Sequence, residues 1–113
     1  MAAAHVLVDD LRRPEAYPEP RPSSVSPVTT HISWVFLTER DVWKLKRPVD
    51  YGFVDYTTRD KRRRCCDEEV RLNRRLAPDV YLGVVPVRLG PRGHTFGPEG
   101  AVVDYAVRMR RLP

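Results

Sequence analysis

The sequence predicts an α+β fold: a mostly antiparallel five-stranded sheet with one long helix, preceded by a short N-terminal helix. Three observations carry that prediction. Residues Val25 to Arg47 contain short runs rich in β-branched and aromatic residues, as strands prefer. Thr57 with Asp60 three residues on resembles a capping box, opening a helix from about Thr58 to Leu76. Val80 to Leu89 and Ala101 to Met109 form two further strand-like segments around a glycine-rich loop.

Taken in order, residues 2–13 form a short helix with Val6, Leu7, Val8 and Leu11 on its apolar side. Pro14, Pro18, Pro20 and Pro22 then make an extended, irregular connector, so residues 1–23 are set apart from a lobe spanning 24–113. Strands are expected at Val25 to Ile32 and Ser33 to Thr38, followed by a polar turn at Thr38-Glu39-Arg40-Asp41. Val42 to Arg47 alternates strictly, placing Val42, Lys44 and Lys46 on one face and Trp43 and Leu45 on the other. Pro48 ends that run. The helix from Thr58 would be about 28 Å long at about 1.5 Å per residue. Its apolar line is Cys65/Cys66, Val70, Leu72/Asn73 and Leu76, with Pro78 just past its end. Pro86 favours an edge strand or a bulge, and the glycines between residues 90 and 100 belong to a hairpin loop.

The 113 residues give room for one small domain or one lobe of a larger one. No apolar run approaches the roughly 20 residues that span a bilayer, and the N-terminal MAAAHVLVDDLRR makes a poor secretory signal. The adjacent Cys65 and Cys66 cannot make a disulfide framework or a four-ligand zinc site. They are expected as reduced thiols on a helix, which places the protein in the cytoplasm with no membrane association. A net charge of +5 calls for an anionic partner: nucleotide phosphates, nucleic acid or an acidic protein.

A lysine in the middle of an apolar strand needs a reason. Strand, long helix, strand is the setting in which kinase folds hold a phosphate-contacting lysine against a helix carboxylate. Lys44 and Lys46 both face the right side. Lys44 is preferred because Val42, two positions earlier, can wall an adenine, and Lys46 remains the alternate. On the helix, Glu69 places Leu72 at +3 and Leu76 at +7 before the Ala77-Pro78 turn, whereas Glu68 places Arg71 and Arg75 there. That spacing selects Glu69.

The segments Thr30-His31-Ile32-Ser33-Trp34-Val35-Phe36-Leu37, Val42-Trp43-Lys44-Leu45-Lys46-Arg47-Pro48-Val49-Asp50-Tyr51-Gly52-Phe53, Glu69-Val70-Arg71-Leu72-Asn73-Arg74-Arg75-Leu76-Ala77-Pro78 and Asp104-Tyr105-Ala106-Val107-Arg108-Met109 carry a resemblance. Together they look like the start of a bacterial aminoglycoside-phosphotransferase-like family. Its members have a kinase-like domain, in many cases fused to a P-loop ATP-binding domain. The resemblance runs from about residue 24 to the end. It implies a kinase-like N-lobe that binds ATP, with Lys44 as the phosphate lysine and Glu69 as its helix partner. Val42, Val107 and Met109 would line the adenine pocket and hinge, and the turn near Thr30 to Ser33 would stand in the place of the phosphate loop. No G-x-G-x-x-G is present there, so His31 and Ser33 are the candidate donors. The catalytic aspartate and the Mg²⁺-binding aspartate of such a mechanism would both lie past Pro113, and no P-loop occurs in the chain. The chain as given is therefore expected to hold no catalytic residue and no metal site, to bind ATP weakly, and to transfer phosphate only when completed by a helical lobe.

Two other function classes compete. A non-catalytic interaction module or remnant would expose the strip that an N-lobe buries against its C-lobe, inviting that lobe or another protein partner. A small basic nucleic-acid-binding protein would use Lys61-Arg62-Arg63-Arg64 with Arg71, Arg74 and Arg75. The interleaved Asp60, Asp67, Glu68 and Glu69 favour a solvated helix face over that use.

Overall fold

The structure is a computed structural model that describes residues 2–112. Helix α1 (Ala2–Leu11) and a single 3-10 turn (Pro14–Ala16) lead into three strands, β1 (Ser26–Thr29), β2 (Ser33–Leu37) and β3 (Asp41–Lys46). Helix α2 (Arg59–Asn73) follows, then β4 (Tyr81–Gly90), β5 (Gly93–Thr95) and β6 (Ala101–Arg110). All strands pair antiparallel in one sheet of order β1-β2-β3-β6-β4-β5.

The α+β class holds, but the sheet has six strands where five were expected. The additional strand comes from the glycine-rich loop. Gly93, at φ +92°, reverses the chain, and Arg88↔Thr95, Leu89↔His94 and Gly90↔Gly93 then pair. A Cβ at Gly93 would lie 2.7 Å from an oxygen of the Asp10 carboxylate, so only glycine lets α1 approach this turn.

Local boundaries differ for identifiable reasons. Helix α2 is capped by Thr58, whose side chain accepts from the Lys61 backbone N–H, so the cap sits one residue later than Thr57. The helix stops at Asn73, and Leu76 lies beyond it. The first strand is shorter than expected because Thr30 turns the chain: its Oγ1 accepts from the backbone N–H of Ser33 at 2.9 Å and of Ile32 at 3.3 Å. Helix α1 ends at Leu11; Leu7 and Leu11 are buried whereas Val6 points to solvent. Pro86 stands opposite Tyr105 on the part of β4 that β5 does not reach, between register shifts at Tyr81/Gly83 and Val87/Arg88. A proline there removes no ladder bond from a central strand.

The sheet is covered on both faces. One core joins Leu7, Leu11, Ala16 and Tyr17 of the N-terminal segment to Phe36, Trp43, Leu45, Val87 and Ala106 of the sheet. The connector is thus part of this core. The backbone N–H of Phe96 donates to the Ala16 carbonyl at 2.8 Å, and the Tyr17, Trp43 and Phe96 rings pack with centroids 4.5–5.2 Å apart. The second core is smaller: Cys66 and Val70 of α2 against Val107, with Tyr81, Val84, Tyr105 and Met109 around them. Strand β3 divides the two, its Trp43 and Leu45 belonging to the first core while Lys44 and Lys46 reach Glu69 on α2. No described helix is long and apolar enough to cross a membrane.

Candidate functional site

Cross-strand pairing builds the floor of the candidate site. Lys44 lies opposite Val35 on β2 and Val107 on β6, and Val107 pairs onward with Val84. Val42 lies between Leu37 and Met109, and Lys46 faces Ser33. Paired residues project to the same side of a sheet. Val42, Lys44, Val107 and Met109 are therefore brought onto one side of the sheet, near His31 and Ser33, but Val107 is fully buried against Cys66 and Val70 of α2 and does not line an open pocket as expected.

Above that surface stands Glu69. Its Oε2 lies 2.6 Å from the Lys44 ammonium, and its Oε1 accepts from the Lys46 ammonium. Sequence reasoning had set the two lysines against each other, but one carboxylate takes both. Residues two apart on a strand start about 7 Å apart on one face, and the two flexible lysine stems converge on the Glu69 carboxylate. Glu69 is also not selected by Leu72 and Leu76, which are 46% and 88% exposed. It shares its helix face with Cys66, Val70 and Asn73, whose side-chain amide donates to the Glu69 carbonyl at 2.8 Å.

The two lysines are not equivalent. The Lys46 side chain is 7% exposed and lies 5.4 Å from the centre of the Tyr56 ring, while that of Lys44 is 26% exposed. Burial alone would push the Lys46 pKa down, but the hydrogen bond and charge of Glu69 outweigh it and hold the ammonium above its ordinary value. Burial likewise works to raise Glu69, and the bonds from Lys44 and Lys46 overcome it, keeping the carboxyl below its ordinary value. Beneath the pair, burial pushes the Cys66 thiol up to about 12. The arrangement is a clamp carrying one net positive charge, with the excess on the more accessible lysine.

The turn at residues 30–33 is organised differently from a phosphate loop. The Ser33 and Ile32 backbone N–H groups are taken by Thr30 Oγ1. Arg47 Nη1 donates to the Thr30 carbonyl at 2.7 Å, and both Arg47 and the Tyr51 hydroxyl donate to the His31 carbonyl. Ser33 is buried, and His31 is an exposed turn residue, not a strand residue. Arg47, the residue after Lys46, was not singled out from the sequence.

Other acids have structural duties. Asp55 accepts from Thr57 and pairs with Lys61, Asp104 pairs with Arg62 at 3.1 Å, and Asp50 accepts from the Gly52 N–H. Both Glu69 oxygens are committed to lysines, and no three His, Cys, Asp or Glu side chains gather to hold a metal among the described residues. The basic run on α2 is largely engaged: Lys61 with Asp55, Arg62 with Asp104, Arg63 with Asp67, and Arg71 with Glu68.

The chain is similar to curated proteins of Mycobacterium tuberculosis and Mycobacterium bovis, each named as uncharacterized, at 37% identity over 82 residues. That stretch is 73% of this chain and 15% of the relative, so the chain spans a small part of the proteins it matches. No protein-family model and no solved structure matches it.

Proposed function

We propose that the chain is the nucleotide-holding lobe of a kinase-like phosphotransferase of the aminoglycoside-phosphotransferase-like kind, with Lys44 as the contact to the phosphates of ATP. The observation that carries this reading is the strand lysine held by a carboxylate of the following helix, the same pairing that positions the phosphate lysine in protein kinases. Lys46 neutralises Glu69 from the buried side, leaving the Lys44 ammonium as the exposed cation. Val42 and Met109, paired across β3 and β6 and only partly buried, supply an apolar surface beside Lys44 suited to a purine, while Val107 underlies it in the core. Mg²⁺ and the acceptor-activating aspartate would come from a helical lobe, and the relatives' greater length leaves room for one. The phosphate acceptor belongs to that lobe as well.

Titration of the ¹⁵N-labelled chain with ATP tests the assignment. Shifts are expected at Val42, Lys44, Val107 and Met109, with Lys44→Ala weakening binding about tenfold, equivalent to about 1.4 kcal/mol. Unchanged affinity in Lys44→Ala would overturn it.

A second reading, a non-catalytic interaction module, draws on Leu72, Leu76 and Phe53, the last 87% exposed. Self-association in sedimentation that Leu72→Asp with Leu76→Asp abolishes, combined with no ATP binding, would favour it.

A further inference from the structure

The opposite face of the sheet carries a second concave surface that the nucleotide reading does not use. It is a groove of about 690 Å³ between the proline connector and the β2–β3 turn, within the range of about 300–1,000 Å³ typical of small-molecule sites. Tyr17 and Trp43, each 3% exposed, form its floor, and Pro18, Pro20 and Pro22 stand as one wall. The Trp43 indole Nε1 is buried without an acceptor among the described residues. A buried indole N–H without an acceptor is uncommon, because its desolvation is left unrepaid.

The rim is strongly basic. Five arginines (21, 40, 108, 110 and 111) face two carboxylates, Glu39 and Asp41, and Arg21 is also paired with Glu19 at 3.5 Å, which leaves an excess of two positive charges. Asp41 is taken by Arg108 at 2.6 Å, and Glu39 accepts from the Ser23 backbone N–H at 2.9 Å. Arg110 and Arg111 donate to the Asp79 and Thr38 carbonyls, which fix the side chains without cancelling their charge. Arg40 is exposed and its side chain makes no hydrogen bond or ion pair among the described residues. Oriented guanidinium groups with uncancelled charge above an aromatic floor match a ligand with an anionic head and a flat body.

We propose that this groove binds a phosphorylated small molecule carrying a flat or apolar body. The phosphate would sit among Arg40, Arg110 and Arg111, and the body would stack beside the proline wall on the Arg108 guanidinium, which itself lies 4.5 Å from the centre of the Trp43 ring.

Phenyl phosphate, which combines the two features, is the probe. Titrated into the ¹⁵N-labelled chain at about 50 mM salt, where surface charge is weakly screened, it is expected to shift the Trp43 indole resonance, assigned with Trp34→Phe. The Leu82 and Arg40 amides should move with it. Binding should be about tenfold tighter than for inorganic phosphate and about tenfold weaker in Arg40→Glu. Arg40 is exposed, so this variant is expected to keep the wild-type thermal melt, and Arg111→Ala gives an independent second reading. Lys44→Ala should leave phenyl phosphate binding unchanged, which separates this groove from the ATP site. Shifts confined to the Lys44 face would overturn the proposal, as would equal binding of inorganic phosphate or undiminished binding in both arginine variants. A glutamate decapeptide that binds where phenyl phosphate does not would assign the groove to an acidic protein segment instead.

Discussion

The two faces of the sheet solve the same packing problem with opposite chemistry. On the α1 side, Phe36, Leu45, Val87 and Ala106 are fully buried in an apolar and aromatic core, and the Asp10–His94 and Asp41–Arg108 pairs lie at its margin. On the α2 side, three buried residues form the apolar core, and the rest of the helix is held by ion pairs, Glu69 to two lysines and Arg62 to Asp104. Apolar burial stabilises in proportion to the area removed from water, without regard to direction or pH. Buried ion pairs add little net stability over an apolar replacement, yet losing one partner is costly. The core of the first face holds the fold; the second face holds Lys44, Lys46 and Glu69 in fixed positions.

The largest effect should come from the apolar face. Phe36→Ala removes a fully buried ring opposite Trp43 on the neighbouring strand and is expected to destabilise by about 4 kcal/mol. Urea denaturation would read this as a lowered midpoint, with the same loss from about pH 4 to about pH 10. A loss below about 1 kcal/mol would mean that the N-terminal segment does not close this core.

Next in size is the clamp. Glu69→Ala leaves the buried Lys46 ammonium uncompensated and should cost about 3 kcal/mol at neutral pH. Here the loss depends on pH. The Glu69 pKa is lowered in the fold, so its contribution is complete above the ordinary value of 4.5 and disappears as pH falls through the lowered one. The Lys46 pKa is raised, so its contribution is complete below 10.5 and disappears as pH rises through the raised one. The difference between wild type and Glu69→Ala should therefore form a plateau that shrinks at both ends, while that for Phe36→Ala stays flat. Equal pH profiles for the two variants would dissolve the contrast between the faces.

The sequence disclosed these faces unequally. Alternation in Val42 to Arg47 was enough to separate Trp43 and Leu45 from Lys44 and Lys46, because a strand's period of two leaves no other choice. It could not disclose that one carboxylate serves both lysines, since that depends on the height and rotation of α2 above β3. The apolar line assigned to α2 failed at Leu72, which lies within the helix but off the face that buries Cys66 and Val70, and at Leu76, which lies past the helix end at Asn73. The connector was the largest omission. Prolines announced irregular chain, but Tyr17 reaches the core only because the 3-10 turn at Pro14–Ala16 and the β5 strand dock it against Trp43 and Phe96. Those contacts are non-local and leave no periodic trace. The arginine groove shares that cause, since its rim is gathered from the connector, the β2–β3 turn and the end of β6.

The smallest effect is chemical and probes how tightly the charged face is closed. Cys65 and Cys66 are adjacent on α2, but Cys65 is half-buried and Cys66 fully buried beside Lys46. Burial holds the Cys66 thiol at about 12, so at pH 8 only about one molecule in 10,000 carries the reactive thiolate. Iodoacetamide followed by mass spectrometry should give a single adduct, at Cys65, on the native chain. Glu69→Ala should admit a second adduct at Cys66, because loss of the clamp loosens α2 over the sheet, whereas Arg40→Glu on the far side should not. Equal labelling of both thiols in the native chain would show that α2 opens readily, and a lobe that opens so readily would not hold Lys44 in place for a phosphate.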